Sequence, residues 1–464
     1  MLTSEMMADW SAAPGFDAAA FREVHASGRQ VVSVRINPGK WKDAGGLSFL
    51  LQEKIPWSSY GYYLETRPFF TFEPWLHAGV FYVQEASSMF LEQAIRQTVD
   101  LSQQLVVLDG CAAPGGKSTL IQSLLSPASV LVSNEVIRSR ASILEENLVK
   151  WGGANTLVSG SDPREFAALG PLFDLVVVDA PCSGSGLFRR DPEAAAEWSP
   201  DLVKLCSQRQ QRILADYWEC LRPGGVLIYS TCSYSVAEDE GIADWLMEAF
   251  AAEPIVLQTD PSWQIVTVQT AGGAAAYRFY PDKLKGEGFF LAAFRKGEGH
   301  FSESRHAGGR AIGGRAHRLP WEPLKGKSLE LLYPWLEEPA AFRYFQLQEN
   351  AVAVLPELAA LAQQLGGIYI RRAGLLLGKS TGKELVPDHA LALSQHRNRR
   401  LPLLELDRPT ALRYLRKEDI HPDAPARGWW LAAYAGQSLG WLKNIGNRSN
   451  NYYPREWRIL KAAP

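Results

Sequence analysis

The sequence predicts an α/β protein whose main part is a doubly wound, mostly parallel sheet, with a further section at each end of the chain. Between about residues 101 and 296, short runs rich in Val, Leu and Ile alternate with helical stretches, and such alternation is typical of parallel sheets. Gly or Pro bounds these runs, as is usual for strands covered on both faces. A chain of 464 residues is also too long for one ordinary core, so we expect two or three domains.

The predicted elements of this middle part alternate between strand and helix. A short helix is predicted to open at Asp162 and Pro163, which suit the N-cap and first helical positions. The loops after the strands should gather at one edge of the sheet, where α/β proteins bind their ligands. We predict strands at 105–109, 130–134, 155–159, 173–179, 225–231 and, at a sheet edge, 287–296, and helices at 117–125, 137–151 and 200–221.

The two ends of the chain differ from this middle part, the main domain at 101–297. Residues 1–100 predict an N-terminal α/β extension that is dense in aromatic residues. Aromatic residues mostly pack in cores, although they can also stack on nucleobases. Residues 298–320 are rich in Gly, His, Ser and Arg and predict a linker. Residues 321–464 predict a second compact section, with a long helical stretch at 339–365.

Composition and cysteine usage limit the classes of protein that fit the chain. The residues are 46% hydrophobic and 21% charged, as in soluble globular proteins, and no apolar run reaches the ~18 residues of a membrane span. The first residues lack the basic and apolar regions of a signal peptide. Five cysteines without a CxxC pair or a nearby histidine cluster indicate reduced thiols rather than disulfides or zinc. We therefore expect a cytoplasmic protein without a membrane segment or a metal.

The net charge of −2 conceals an uneven distribution along the chain. Residues 301–464 hold 24 Lys and Arg against 15 Asp and Glu, whereas residues 1–300 hold 24 against 35. A basic section attached to an acidic main part suggests an anionic partner that docks partly on the C-terminal section. The alternative is an uneven partition of solvated surface charge, which needs no partner.

The loop after the first predicted strand is the first candidate binding element. It carries Asp109 followed by the sequence GCAAPGGKS at 110–118. Small residues and glycines let the backbone approach a ligand closely at a helix N-terminus. The loop is not a phosphate-binding P-loop, because that motif requires glycine at the position of Cys111. Such a turn alone does not distinguish NAD, nucleotides and S-adenosylmethionine as ligands.

Acidic residues follow three successive strands of the predicted sheet. Glu135 ends the second strand, where doubly wound folds place a carboxylate on a ribose hydroxyl pair. Asp162 follows the third strand, within reach of an adenine amino group, and Asp179 ends the fourth. Each residue alone could be a helix cap or a surface acid. Together they predict a site for an adenosine-containing cofactor.

Cys182 and Cys232 each come shortly after a predicted strand. Buried cysteines are usually inert, but thiols in loops at the ligand-binding edge are placed to react. A thiolate of lowered pKa can add to C6 of a cytosine and make C5 nucleophilic enough to accept a methyl group. An acid must then neutralise charge near N3, a role that suits Asp179. Lys117 would favour the thiolate or orient Asp179, unless it is an ordinary solvated lysine.

Two motifs around these cysteines give the chain a specific resemblance. They are DAPCSGSG at 179–186 and YSTCSY at 229–234, with RINP at 35–38 and GVFYVQE at 79–85 upstream. With the glycine loop, they resemble the RNA cytosine-C5 methyltransferases of the NOL/NOP/Sun class, and the bacterial RsmF-type ribosomal RNA enzymes most. The resemblance covers about residues 30–296 and is looser beyond. The chain departs from the family pattern at Gly110, where a bulkier residue is common, and at Ser233 and Tyr234, which replace a frequent Thr-Phe pair.

The resemblance implies roles for the matched positions. Cys232 would be the nucleophile and Cys182 would assist release of the product, with Asp179 and Lys117 as further catalytic residues. The order of the two thiols depends on the resemblance, because DNA cytosine methyltransferases use the cysteine of the Pro-Cys element as nucleophile. The cofactor would be S-adenosylmethionine. It would be held by Cys111, Ala112, Ala113, Pro114, Gly115, Gly116, Lys117, Glu135, Asp162 and Asp179.

The same resemblance implies that residues 321–464 bind RNA and include a PUA-like α+β module. Its phosphate contacts would lie at 397–400 and 413–417, with a solvated charged face as the alternative. We therefore predict a monomeric, S-adenosylmethionine-dependent enzyme that methylates cytosine C5 of 16S ribosomal RNA in the small ribosomal subunit. The rivals are the same chemistry on transfer RNA and a non-catalytic ribosome-assembly or RNA-binding factor on the same fold.

Overall fold

The N-terminal section is a three-stranded antiparallel sheet with four helices. The computed structural model describes residues 2–41, 44–298, 321–421 and 426–461. Side-chain caps begin the first two helices, because Thr3 and Asp17 accept hydrogen bonds from backbone N–H groups of the first turn. β1 lies between β2 and β3. The elements are α1 (Ser4–Trp10), α2 (Ala18–Ala26), β1 (Val32–Ile36), β2 (Gly61–Leu64), α3 (Pro74–His77), β3 (Phe81–Tyr82) and α4 (Leu91–Thr98).

The middle of the chain forms the main sheet, whose five parallel strands have the order β8-β7-β4-β5-β6. β12 extends it antiparallel to β8, and β11, β10 and β9 follow at that end. The elements are β4 (Val106–Asp109), α5 (Gly116–Leu124), β5 (Val130–Asn134), α6 (Arg138–Trp151), β6 (Thr156–Ser159), α7 (Pro163–Ala167), β7 (Phe173–Asp179), α8 (Pro200–Cys220), β8 (Leu221–Thr231), α9 (Glu240–Phe250), β9 (Glu253–Pro254), β10 (Val266–Gln269), β11 (Ala275–Phe279) and β12 (Phe289–Arg295).

Hydrophobic clusters cover both faces of this sheet. Val176 and Val178 of β7 pack into one cluster, whereas Leu175 and Val177 pack into the other. Successive side chains of a strand point to opposite faces, so strands buried on both sides must be apolar throughout, as β7 is. The predicted doubly wound α/β fold is therefore confirmed. Within the described residues no helix is long and apolar enough to cross a lipid bilayer.

The C-terminal section contains two further sheets, with strand orders β13-β14-β15-β17-β18 and β19-β20-β21-β22. Only β19 and β20 pair in parallel within them. The elements are β13 (Glu322–Pro323), α10 (Lys327–Glu330), β14 (Arg343–Leu347), β15 (Asn350–Val354), α11 (Pro356–Gln364), β16 (Ile370–Ala373), β17 (Leu375–Ser380), β18 (Leu385–Pro387), α12 (His389–Leu393), β19 (Leu403–Glu405), α13 (Arg408–Leu415), β20 (Gly428–Tyr434), β21 (Gln437–Asn444) and β22 (Ser449–Asn451).

The predicted helical stretch at 339–365 is wrong over residues 339–355, the larger part of it. β14 and β15 form a hairpin there, in which Gln348 adopts a left-handed conformation with φ 54°. Pro356 occupies a first-turn position of α11, where a missing N–H costs nothing, so the helix starts only after the hairpin. Most of the predicted linker, residues 299–320, lies outside the described residues.

The C-terminal section also packs directly against the rest of the chain. β16 pairs antiparallel with β6 and so completes one end of the main sheet. α11 contributes Leu358, Leu361 and their neighbours to the cluster on one face of that sheet. The N-terminal sheet in turn shares a hydrophobic cluster with α13 and the strands β20 and β21. The C-terminal section therefore contacts both the main domain and the N-terminal section.

Candidate active site

A cleft of about 680 Å³ opens at the carboxyl edge of the parallel strands. A cleft of this volume accommodates a small molecule or cofactor. Ala112, Gly115, Gly116 and Lys117 are not on its wall, although they were predicted to hold the cofactor. Its wall includes the predicted residues Cys111, Ala113, Pro114, Glu135, Asp162, Asp179, Cys182 and Cys232.

The glycine loop is fixed from behind by β5 and α6. The Ala112 N–H donates to the Asn134 carbonyl at 2.9 Å, so this buried residue joins the loop to the end of β5. Arg140 and Asn147 of α6 donate to the carbonyls of Ala113 and Pro114 at 2.9 and 2.8 Å. Gly115 has φ 113°, which L side chains rarely adopt. The loop can therefore present its backbone to a ligand without rearranging.

The departure at Gly110 has a steric explanation. A Cβ atom on Gly110 would come within 2.5 Å of the Tyr217 ring, so this tyrosine occupies the space of the side chain that is missing. The Tyr217 hydroxyl donates to the Gly110 carbonyl at 2.7 Å and accepts from Asn134 at 3.0 Å. The Tyr217 hydroxyl therefore links the glycine loop to the end of β5.

Glu135 and Asp162 lie on the part of the wall that follows β5 and β6. The two thiols follow β7 and β8, at the other end of the cleft. Glu135 is buried, accepts from the Ile137 N–H at 2.9 Å and lies 3.6 Å from Arg140. Asp162 caps α7 by accepting from the Arg164 N–H, as a helix cap would, and also contacts Arg212. Asp162 thus serves as a cap and as part of the cleft wall at the same time.

Sequence reasoning missed an apolar side of the cleft. Val136 and Ile137 line it directly after Glu135, and both are about half exposed. Exposed branched side chains of this kind can pack against a flat aromatic ring. Their position between β5 and α6 indicates that they lie at the ligand-binding edge of the sheet, but the sequence alone draws attention only to the neighbouring carboxylate of Glu135.

Asp109 lies beneath the glycine loop as a fully buried carboxyl group. Burial, only partly offset by the hydrogen bond from Ser118, raises its pKa to about 7. The Ser118 hydroxyl donates to Oδ2 at 2.6 Å, and Oδ1 has no hydrogen-bond partner in the described part of the chain.

The two loop thiols lie side by side, with 3.3 Å between the Cys182 and Cys232 sulfur atoms. The parallel pairing of β7 with β8 brings them together, because Asp179 is opposite Ser230 in that register. The contact with Cys232, together with burial, raises the pKa of Cys182 well above its usual value. Cys182 is therefore held as a thiol that can donate to the sulfur of Cys232.

Asp179 ends β7 in a fixed orientation beside these thiols. The Lys117 Nζ lies 2.7 Å from Oδ2, and the Ser230 hydroxyl donates to Oδ1 at 2.8 Å. Burial acts to lower the pKa of Lys117, but Asp179 outweighs it, with smaller contributions from Cys232 and Asp109, so that the pKa is raised. Lys117 is thus a charged lysine with a partner in the site rather than a solvated one.

Glu238 connects the two cysteine loops, which sequence reasoning did not foresee. It is fully buried and accepts hydrogen bonds from the Ser183 N–H at 2.7 Å, the Ser183 hydroxyl at 2.5 Å and the Ser233 hydroxyl at 2.6 Å. Each serine directly follows a cysteine, Cys182 or Cys232. The position of Glu238 soon after the second motif was visible, but its partners depend on the tertiary fold.

The fold places this protein among the Rossmann-like methyltransferases, and comparisons with known proteins narrow that class. Within the described residues no group of three or more His, Cys, Asp and Glu could hold a metal.

Three family models match the chain. They are described as the N-terminal domain of 16S rRNA methyltransferase RsmF (residues 2–86), 16S rRNA methyltransferase RsmB/F (residues 96–295) and the methyltransferase RsmF PUA domain (residues 402–459).

Curated relatives match along nearly the whole chain. "Ribosomal RNA small subunit methyltransferase F" of Salmonella agona is 32% identical over 91% of this chain and 89% of its own length. The protein of the same name from Salmonella arizonae is 33% identical over the same shares. The chain therefore belongs to the RsmF family of RNA methyltransferases, which depend on S-adenosylmethionine.

Solved structures agree with this assignment. A methyltransferase homologue from Pyrococcus horikoshii is 28% identical, with a TM-score of 0.53 over 64% of this chain and 95% of that one. NSun6 from Pyrococcus horikoshii, solved with SFG, has the same fold at 19% identity, with a TM-score of 0.53 over 63% of this chain and 98% of that one. The predicted family and enzyme class are confirmed.

Proposed function

We propose that this enzyme methylates C5 of a cytosine in 16S ribosomal RNA through a covalent bond between Cys232 and C6 of the base. The observation that carries the proposal is the pair of sulfur atoms 3.3 Å apart, beside Asp179 and on the wall of the cleft. Two thiols are needed only if one forms the adduct and the other acts after methylation. Methylation of an oxygen or an amino group would need neither.

Cys232 is the nucleophile in this proposal. Its sulfur can accept a hydrogen bond from Cys182, whose raised pKa keeps it protonated, and the Lys117 ammonium contributes positive charge nearby. The thiolate attacks C6, an S–C6 bond forms, and the electron pair of the C5–C6 double bond becomes available at C5.

Asp179 and Lys117 act on the opposite side of the pyrimidine ring. Asp179 would receive a proton from the Lys117 ammonium, 2.7 Å away, and donate it to N3, which offsets the negative charge that develops as the thiolate adds. The Ser230 hydroxyl and the Lys117 ammonium fix both carboxylate oxygens, so the group is oriented before the base arrives. After methylation a base takes the C5 proton, the C5–H electron pair re-forms the C5–C6 double bond, and the S–C6 bond breaks to return the Cys232 thiolate. Cys182 assists this release.

The cleft residues fit S-adenosylmethionine, which supplies the methyl group. In this proposal Glu135 would bind the ribose hydroxyls, and Val136 and Ile137, on the same wall, would pack against the adenine face. The cleft extends from Glu135 to Cys232 without interruption.

Two features support ribosomal RNA as the substrate. The curated relatives are small-subunit ribosomal RNA methyltransferases along about nine-tenths of the chain, and the C-terminal section matches their PUA domain. The target cytosine must leave its stack to reach a cleft at the sheet edge. The excess of Lys and Arg in residues 301–464 suits contacts to phosphates around it.

The test is to trap the covalent intermediate. Wild type, Cys182→Ala and Cys232→Ala are mixed with S-adenosylmethionine and small ribosomal subunits that lack cytosine methylation, and denaturing gels are searched for protein–RNA adducts. We expect Cys182→Ala to accumulate an adduct, since release is impaired, and Cys232→Ala to form none. Cys206→Ala, which removes a buried thiol of α8, should behave as wild type.

The alternatives give different patterns in the same experiment. An adduct with Cys232→Ala but not with Cys182→Ala would exchange the two roles. Adducts and methyl transfer on transfer RNA but not on subunits would show that the substrate is transfer RNA and not ribosomal RNA. Absence of adducts and of methyl transfer on both RNAs would overturn the catalytic proposal and favour a binding factor.

A further inference from the structure

A second cavity, of about 380 Å³, lies where the N-terminal section meets the C-terminal section. Its wall comes from the loop after β1, the segment after α12, the start of β19 and the turn between β20 and β21. None of its lining residues belongs to the cofactor cleft. Its size lies within the range of small-ligand sites.

Three cations and no carboxylate line this cavity. Lys40 enters from the loop after β1, and Arg397 and Arg399 enter from the segment after α12. Neither guanidinium group has an ion pair or a side-chain hydrogen bond within the described ranges, and only the backbone N–H of Arg399 reaches a carboxylate, that of Glu337. The cavity therefore has a strongly positive wall without an internal counter-charge.

The Lys40 ammonium is held by neutral acceptors. It donates to the carbonyls of Ala78 at 2.7 Å and Lys150 at 2.5 Å. Burial, and then the nearby Arg397, lower the pKa of Lys40 well below its usual value, and burial and then Arg399 lower the pKa of Arg397. The charges of Arg397 and Arg399 therefore disfavour each other and disfavour a proton on Lys40, and a bound anion would offset both effects.

Two buried polar atoms of residues that line this cavity have no hydrogen-bond partner within the described residues. They are Nε of Arg397 and Oγ of Ser438, and Ser438 as a whole is only 5% exposed. Nearly all buried polar atoms in folded proteins have a partner. A group with several acceptor oxygens, such as a phosphate, would provide partners for the guanidinium and the hydroxyl together.

We propose that this cavity binds a backbone phosphate of the RNA substrate, at a position remote from the reacting base. The proposal depends on the proposed function in taking the anion to be RNA. The turn between β20 and β21 belongs to the part matched as a PUA domain, so the cavity joins that domain to the N-terminal section. Free inorganic phosphate has the same chemistry and is distinguished by the test below.

The position of the cavity separates it from catalysis. α6 begins beside the cofactor cleft, which Ile137 and Arg140 line, and ends at Trp151, next to the Lys150 carbonyl that Lys40 contacts. A helix of 14 residues is about 21 Å long at ~1.5 Å per residue. A phosphate in the cavity therefore anchors RNA that extends along the enzyme, and its loss should weaken RNA binding without slowing the chemical step.

The first test compares Arg397→Gln with Arg343→Gln, which removes the same charge from an exposed residue of β14 outside the cavity. Binding of a fluorescent 16S ribosomal RNA transcript is measured over a range of salt concentrations. For Arg397→Gln we expect about tenfold weaker binding at low salt and a slope of log K against log salt that is smaller by about 0.7–0.9, the value for one lost phosphate contact. The control should keep the wild-type slope, and the kcat at saturating RNA should be unchanged in both.

The second test uses Ser438→Asp, which adds a carboxylate among the cations. Inorganic phosphate should raise the thermal unfolding midpoint of wild type but not of Ser438→Asp, whose own carboxylate takes the place of the anion. RNA binding of Ser438→Asp should weaken as in Arg397→Gln.

An unchanged salt slope in Arg397→Gln would overturn the proposal, and so would equal stabilisation of wild type and Ser438→Asp by phosphate. Stabilisation of wild type alone, with no change in the RNA slope, would identify a free-anion site and also overturn it. Failure of the proposed function would be recognised separately, as absent methyl transfer with the altered slope still present.

Discussion

Glu238 illustrates how one residue can fix the geometry of a site that it does not line. It lies behind the cleft wall, but its carboxylate accepts from the residues that follow both cysteines. Burial raises its pKa, and the hydrogen bonds from Ser183 and Ser233 oppose that rise. The sulfur–sulfur distance therefore depends on a carboxylate that holds the Cys182 and Cys232 loops together.

Glu238→Gln should lower activity by loosening this connection. Glutamine offers one oxygen to three donors and adds an NH₂ group that faces hydroxyls, so the two loops should separate. Because a displacement of about 1 Å can cost ~100-fold in rate, we expect kcat to fall by one to two orders of magnitude. The affinity for S-adenosylmethionine, measured by calorimetry, should change little.

The control for this prediction is Glu248→Gln, the same chemical change on an exposed residue of α9. It should leave kcat unchanged. A Glu238→Gln enzyme with wild-type kcat would show that the loops keep their separation without the carboxylate, and that Glu238 is only a buried acid with satisfied oxygens.

At the scale of elements, the loop that follows Cys182 packs against the loop that contains Cys232. The Gly186 N–H donates to the Cys232 carbonyl at 2.7 Å. A Cβ atom at position 186 would lie 2.7 Å from that carbonyl oxygen and 2.6 Å from the Gly288 carbonyl oxygen. Both neighbours are backbone, so neither can turn away as a flexible side chain would.

Gly186→Ala should therefore destabilise the protein and displace Cys232. We expect a loss of about 1–3 kcal/mol in the free energy of unfolding, the usual cost of overpacking, measured by urea titration, together with reduced methyl transfer. Gly367→Ala is the matched control, because a Cβ there meets nothing within 4 Å, and its effect should stay within about 0.5 kcal/mol. Equal stability of the two variants would contradict the steric argument.

The predictable elements were those with local signals. β5 and β7 have the predicted bounds, because apolar β-branched runs ended by polar residues specify buried strands without reference to the rest of the chain. The hairpin β14–β15 was missed because its alternation is imperfect and a helix, α11, follows at once. The pairing of β16 with β6 joins residues about 200 positions apart. A local sequence pattern cannot predict such a contact.

The same limit applies to the site. Residues placed directly after strands, such as Cys182, Cys232 and Asp179, lie together at the cleft because the strand order fixes the position of strand ends. Contacts that depend on side-chain packing, such as Tyr217 over Gly110, need the tertiary fold. The catalytic roles of these residues remain predictions that the trapping experiment tests.

At the scale of the whole molecule, two histidines lie buried between the N-terminal and C-terminal sections. His77 contacts the Tyr453 hydroxyl at 3.2 Å, and both ring nitrogens of His389 lack partners among the residues that the structure describes. Burial and the nearby Lys150 lower the pKa of each to about 3. Both rings are therefore neutral in the folded protein, whereas they titrate near 6.5 when unfolded.

His389→Leu should make stability less sensitive to acid. Below pH 6.5 the unfolded chain binds a proton at His389 that the folded chain does not take up until about pH 3, so wild type loses stability as the pH falls through this window. From pH 7 to pH 5 this loss amounts to about 2 kcal/mol per histidine. The stability difference between variant and wild type should shift by that amount in favour of the variant.

The comparison with the variant is necessary because other groups act in the opposite direction. Burial raises the pKa of Asp109 and Glu287 to about 7, so their contribution falls as the pH rises through 7. Urea titrations are made at both pH values on wild type and on His389→Leu. The contributions of Asp109 and Glu287 are then the same in both proteins and cancel in the stability difference. A difference that does not change with pH would mean that water reaches His389.

The cluster that joins the two ends of the chain also has a consequence for the order of synthesis. Val34 and Phe81 share that cluster with Tyr453 and Ile459, about 400 residues later in the sequence. At ~5–20 residues per second, the first strands wait roughly 20–80 s for their partners to leave the ribosome. During that interval the apolar side chains of the first strands lack these partners, so the cluster is completed only after residues 453–459 have left the ribosome.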